Sequence, residues 1–257
     1  MAHTKEILTL AVEIADTMLR SGAEIYRVED SVIHILEAYG LEDFDVYVLS
    51  NGIFASANEN REDACSMVRH VPMASTQLNR VVALNQLVRD ICSHKCSLPE
   101  ANLRLQECRC LPPFSPGTTI LACGVVCAAF SFLFGGSPPD GLFSFCIGLL
   151  EQLFVLTCKK YKVPRFLTTV YTSVVISLLC ILSVMTGLPL HHDKLVVGSI
   201  MPIVPGIVFT TSIRDFYNED YLSGSIHLID ALFTALCIAV GVSLPILLFR
   251  YLGGFLF

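Results

Sequence analysis

The stretch Gly198-Ser-Ile-Met-Pro-Ile-Val-Pro-Gly206, continuing through Phe209-Thr-Thr-Ser-Ile-Arg-Asp215, decides how this chain is read. It lies inside an apolar segment of about the length needed to cross a bilayer, roughly twenty residues. Pro202, Pro205 and Gly206 nevertheless stand near its middle. Each proline lacks an amide N–H and clashes with the carbonyl one turn back, so the helix should break there. At membrane depth a break is tolerable only against protein or a watery cavity. Broken helices of this kind form binding sites in transporters, and they also occur as plain kinks without a ligand.

Working outward, the composition agrees with a membrane. Of 257 residues 53% are hydrophobic and only 16% charged, with a mean hydropathy of +0.63, less charge than a soluble domain carries. The two halves differ. Of the 17 Lys+Arg, ten precede Pro116 and seven follow it; of the 23 Asp+Glu, sixteen precede it and seven follow. The front piece thus carries 10 − 16 = −6 and the back piece 7 − 7 = 0. An acidic front piece argues against nucleic acid as a partner and against docking on anionic lipid. Lys5, Glu6, Glu13 and Asp16 interrupt the first apolar stretch, so no cleavable signal peptide is read there.

The front piece, residues 1–115, reads as a small α+β domain. Leu8, Ala11, Val12, Ala15, Met18 and Leu19 recur at helical spacing. Ser21 and Glu24 have the spacing of a capping box opening a second helix, which buries Val28, Val32, Ile35 and Leu36 and ends at Gly40. Arg27, Glu29 and Asp30 are left over, either solvated or facing another surface. Val46–Ser50 and Ile53–Ala57 flank Asn51-Gly52, a hairpin signal, and Ser66–Val71 reads as a third antiparallel strand. A helix follows from about Ser75 to Ser93, and Ser97 with Glu100 repeats the capping-box pattern before a last short helix. There is no nucleophile elbow, phosphate-binding glycine loop or His-Glu metal motif in this front piece, and no catalytic residue, cofactor or metal is assigned. Cys92 and Cys96 with Cys108 and Cys110 match no common zinc spacing. The eleven cysteines, six of them in apolar spans (Cys123, Cys127, Cys146, Cys158, Cys180, Cys237), suit a reduced core.

Residues 116–257 read as five transmembrane helices at about 118–135, 140–158, 166–187, 195–213 and 225–249, the fourth broken by Pro-x-x-Pro-Gly. Lys159, Lys160, Lys162 and Arg165 crowd the loop between spans two and three, which is therefore cytoplasmic. Counting outward places the front domain inside, the Ser137–Asp140 turn outside and the C-terminus outside. Ionisable groups at depth are the sharper signal. Glu151 in span two is either a neutral structural acid or a carrier of a proton or substrate. Asp230, over a turn into span five with His227 three residues before it, is shallow enough to pair with Arg214.

Ser21-Gly-Ala-Glu-Ile-Tyr-Arg-Val-Glu-Asp30, then Pro202-Ile-Val-Pro-Gly206, Ile213-Arg-Asp215 and Leu222-Ser-Gly224, in this order over nearly the whole chain, resembles the threonine/serine exporter family. Ile25 stands where the family commonly has Thr. The resemblance implies an α-helical membrane protein of five transmembrane helices preceded by a cytoplasmic α+β domain, in the cytoplasmic (inner) membrane. It implies a larger subunit of the split arrangement, working with a second five-span membrane subunit; self-association of the chain is left open. Split members include a pair associated with succinate export, so the substrate class is threonine/serine or a dicarboxylate. An odd span count would invert such a following unit, as in many secondary transporters. On this reading Pro202, Pro205, Gly206, Thr210, Thr211, Arg214 and Asp215 hold substrate, Glu151 and Asp230 carry the coupling proton, and Glu24, Arg27, Glu29 and Asp30 gate the cytoplasmic mouth. A membrane-anchored enzyme and a non-transporting receptor or scaffold are the rival readings.

Overall fold

The computed structural model describes residues 2–58, 64–72 and 77–253. The chain folds as two compact units, residues 1–113 and 114–257.

In the front unit, helices α1 (Ala2–Arg20) and α2 (Ile25–Ala38) precede three strands, β1 (Phe44–Leu49), β2 (Gly52–Ala57) and β3 (Cys65–His70). Helices α3 (Leu78–Cys92) and α4 (Leu98–Cys110) complete it. Ser75, where α3 was expected to open, lies outside the described residues. The periodic residues of α1 and α2 do enter one core: Leu8, Ala11, Ala15, Met18, Val28, Val32, Ile35 and Leu36 are fully buried. The strands pair antiparallel in the order β1-β2-β3. Leu49 pairs with Gly52, so the hairpin turns on Ser50 and Asn51, one residue earlier than Asn51-Gly52. Neither turn residue has a positive φ. Register therefore rests on packing of the inward face, where Val48, Ile53, Ala55 and Ala57 are buried.

The two expected capping boxes do not form. Ser21 still belongs to α1: its hydroxyl donates to the Thr17 carbonyl at 2.7 Å, and the Ala23 amide donates to Met18 O at 3.0 Å over Gly22, whose φ is +81°. The Ser-Gly pair thus closes α1 by a left-handed C-terminal turn. That buries Ser21 and leaves it unable to turn towards Glu24. Ser97 occupies the N-cap of α4 without a side-chain bond to it.

Glu29 is a strand-edge residue. Its carboxylate accepts the Val48 amide at 3.0 Å, on the outer side of β1, where an open edge would invite foreign strands. Val48 is 1% exposed, so its N–H has little access to water. Glu29→Ala should destabilise the protein by about 1–2 kcal/mol, the cost of one buried orphaned donor. Glu29→Gln, which keeps an acceptor, should recover most of this in thermal melts. Equal melting of the alanine variant and the wild type would remove the edge role.

The second unit contains α5 (Pro116–Leu133), α6 (Pro138–Lys160), α7 (Arg165–Val184), α8 (His192–Ile200), a 3-10 turn (Met201–Ile203), α9 (Gly206–Tyr217) and α10 (Tyr221–Tyr251). Among the described residues four helices, α5, α6, α7 and α10, are long and apolar enough to span a membrane, and up to five spans result if α8 and α9, bent by 58°, count as one. The neighbours α7 and α10 run parallel. Arg165 meets Asp230, Phe166 meets Phe233, and the Ser177 hydroxyl donates to Val242 O, pairs that climb both helices in step. The α8–α9 segment between them therefore returns from the far end of α7 to the end where α7 began.

Candidate functional site: a buried polar thread beside a broken helix

The site begins with a glycine. A Cβ on Gly148 of α6 would lie 2.6 Å from Cys127 Sγ and 2.9 Å from both Cys123 O and Gly124 Cα of α5. Only a residue without a side chain lets the two backbones approach this closely. One turn later α6 presents Glu151, 1% exposed. Cys123 and Cys127, four residues apart, lie on one face of α5. Their sulfurs are 3.7 and 3.6 Å from Glu151 Oε2.

The thread continues to the break. Gly198 of α8 packs on the α5 backbone, where a Cβ would lie 2.8 Å from Ser131 N. The next carbonyl, that of Ser199, is 3.8 Å from Cys127 Sγ. Ile200 ends α8, Val204 is extended, and Pro205 (φ −79°, ψ 49°) caps α9. The break falls where the prolines required it. Its local carbonyls are partly answered: Met201 O accepts from Val204 N at 3.3 Å and Val204 O from Gly206 N at 2.9 Å. Glu151, Cys127 and Ser199 thus connect a buried carboxyl to the break.

Around the break Pro202, Gly206 and Thr210 are exposed, Pro205, Thr211 and Arg214 half-buried, and Asp215 buried. The Thr210 hydroxyl is turned back on its own helix, donating to Gly206 O and Ile207 O at 3.0 Å each. Asp215 binds His227 Nδ1 of α10 at 2.7 Å. Asp230 does not pair with Arg214: its carboxylate takes Arg165 of α7 at 3.0 and 3.1 Å. The reason is the parallel course of α7 and α10, which sets Arg165 beside Asp230 while His227 claims Asp215. Glu151 and Asp230 are consequently held by different neighbours.

A third polar group joins α6 to the start of α8. Asp140, fully buried, accepts from Ser137 N at 2.8 Å and Ser137 Oγ at 2.7 Å. It also accepts from His191 N at 2.8 Å and binds His191 Nδ1 at 2.9 Å.

The proposed gate residues lie on α2 or at its cap, and each has a local engagement. Arg27 Nε meets Glu24 and the Tyr26 hydroxyl at 3.0 Å each, Glu29 holds the β1 edge, and Asp30 meets His34 at 3.4 Å. In the same unit burial pushes the Cys92, Cys96 and Cys108 thiols up. Among the described residues the only three-ligand group of metal-binding type is Cys123, Cys127 and Glu151.

Sequence reasoning did not bring Cys123, Cys127, Ser199, Asp140, His191 or Arg165 to the site. The one available signal was the Cys123/Cys127 spacing flanking Gly124, which places two thiols at a close helix crossing.

The chain resembles "Probable threonine/serine exporter" of Mycobacterium tuberculosis (strain ATCC 25618 / H37Rv), with 25% identity over 243 residues. The match covers 93% of this chain and 46% of the relative, so the chain spans about half the relative's length. No solved structure matches. The family model described as "Putative threonine/serine exporter" matches residues 9–248, taking in both units, the break and the buried thread. With that match over most of its length, the chain belongs to the threonine/serine exporter family, a family of membrane exporters rather than enzymes.

Proposed function

We propose that this chain is one half of a secondary transporter that exports a small carboxylate-bearing metabolite, threonine/serine or a dicarboxylate, with a second five-span membrane unit completing it. The observation that carries the reading is the contact path from buried Glu151 through Cys127 to Ser199, three residues before Pro202. A carboxyl buried in an apolar bundle has to be protonated, paired or liganded. One that communicates with a helix break is suited to couple proton movement to substrate.

In this mechanism the break at Pro202, Pro205 and Gly206 offers the amides of α9's first turn to the substrate carboxylate. Thr210, Thr211 and Arg214 contribute hydroxyl and guanidinium donors nearby. Asp215 accepts an ammonium group in exchange for His227, and Glu151 and Asp230 carry protons. Exposure of Pro202, Gly206 and Thr210 supports a site completed by a second unit. The parallel course of α7 and α10 supports counting α8–α9 as one crossing, hence five spans. The basic loop of Lys159, Lys160, Lys162 and Arg165 supports the C-terminus outside and the front unit cytoplasmic. Glu24, Arg27, Glu29 and Asp30 belong to the regulatory role of the front unit.

Proteoliposomes loaded with labelled threonine or succinate, with and without the second unit, test this. Glu151→Gln should lower efflux at least about tenfold, equivalent to 1.4 kcal/mol, while leaving the protein folded and inserted. Wild-type efflux from that variant would remove Glu151 from the mechanism, and absence of flux with every substrate and partner would sink the exporter reading.

A further inference from the structure

Glu151 has an unusual set of neighbours for a buried acid. Among the described residues its hydrogen-bond partners are two thiol sulfurs at 3.6 and 3.7 Å, weak donors that compensate poorly for lost hydration. The three donor atoms all lie within 4.8 Å of one another, and all three residues are buried. Zinc bonds sulfur at about 2.3 Å and carboxylate oxygen at about 2.0–2.2 Å, so a tetrahedral centre sets sulfur and oxygen about 3.6 Å apart. The two sulfur–oxygen spacings here, 3.6 and 3.7 Å, match that value. The frame is rigid as well, because Gly148 fixes the α5–α6 approach that puts the carboxylate over both sulfurs.

We infer that Cys123, Cys127 and Glu151 form a binding site for a thiophilic divalent cation of the zinc and cadmium class. Two sulfurs and one oxygen favour such an ion over magnesium or calcium, which take oxygen alone. Each sulfur ligates as thiolate and Glu151 as carboxylate, so two thiol protons and the carboxyl proton of Glu151 leave to solvent when the ion enters. Three anionic ligands around a dication leave one net negative charge, smaller than the three they would hold uncompensated. The Ser199 carbonyl, beside Cys127, or a water supplies the fourth ligand. An ion here fastens α5 to α6 next to the broken helix and occupies the carboxylate that export requires. That last consequence, inhibition of export, rests on the proposed function; binding itself does not.

The test uses the full chain, purified reduced and metal-free, titrated with cadmium alone and followed by thiolate-to-cadmium charge-transfer absorption. Wild type and the control C146S/C237S should bind one tight equivalent that C123S/C127S lacks. Glu151→Gln should weaken it at least about tenfold, the scale on which loss of metal-site partners acts. X-ray absorption at the cadmium edge of the wild-type complex needs no variant: two sulfurs plus oxygen are expected, and a shell of four sulfurs or of none overturns the site. An unchanged equivalent in C123S/C127S overturns it equally. Loss of the equivalent with export unaffected by cadmium would spare the metal site and count against Glu151's part in transport.

Discussion

Gly148→Leu should destroy the folded membrane unit rather than merely slow export. A Cβ at that position meets Cys127 Sγ at 2.6 Å, Cys123 O at 2.9 Å and Gly124 Cα at 2.9 Å. Two of those atoms are backbone and cannot rotate away, so α5 and α6 must part along their whole crossing. Overpacking of a tight core typically costs 1–3 kcal/mol. With backbone on the other side the expected loss is about 3 kcal/mol or more for leucine, and about 1–3 kcal/mol for Gly148→Ala. Gly117→Ala is the control, since a Cβ there meets nothing within 4 Å. Detergent-solubilised melts monitored by size-exclusion profile should show the leucine variant aggregated and the control unchanged. A leucine variant melting with the wild type would mean that α5 and α6 do not cross at this point.

The second large effect belongs to Asp140. Its carboxylate gathers two backbone amides, one hydroxyl and one imidazole nitrogen from Ser137 and His191. It thereby caps α6, where a negative charge is favoured by the helix dipole, and ties that end to the approach of α8. Asp140→Ala removes the charged acceptor of the Ser137 and His191 amides, and a hydrogen bond to a charged group is worth about 1.5–3 kcal/mol. The expected loss is about 3 kcal/mol. Asp140→Asn should lie between, because its amide keeps one oxygen for acceptance and turns a donor towards the other pair. Thermal melts of the three proteins decide this; an alanine variant as stable as the wild type would show that the carboxylate holds nothing together.

How much of this was legible in the sequence follows from what each signal encodes. Period and proline chemistry are local, and they located the apolar helices, the break at Pro202–Gly206, the core faces of α1 and α2, and the three strands. Ser21 shows how one local rule yields to another: its spacing to Glu24 suits an opening cap, but Gly22 offers a left-handed residue and the pair closes α1 instead. Partners between membrane helices are not local. In lipid both faces of a helix are apolar, so the pattern that marks an inward face in water is weak. Asp230 was therefore matched with Arg214, the nearest cation following the break in sequence, when α7 supplies Arg165. Glu151 was recognised as an acid at depth. Its thiol neighbours were hidden because cysteine on an apolar span reads as an ordinary small side chain until Gly148 brings the helices together.

The two arms of the snapped helix lean on different supports. Among the described residues α8 packs against α5, α6 and α7, whereas the main neighbour of α9 is α10. Val204 and Pro205 are therefore a coupling between two separately braced levers. A push on α10 is delivered to α9 at once, and reaches α8 through those two residues or by the detour over α7. Stiffness at that coupling, more than the character of either lever, sets how far a tug at one end is felt at the other.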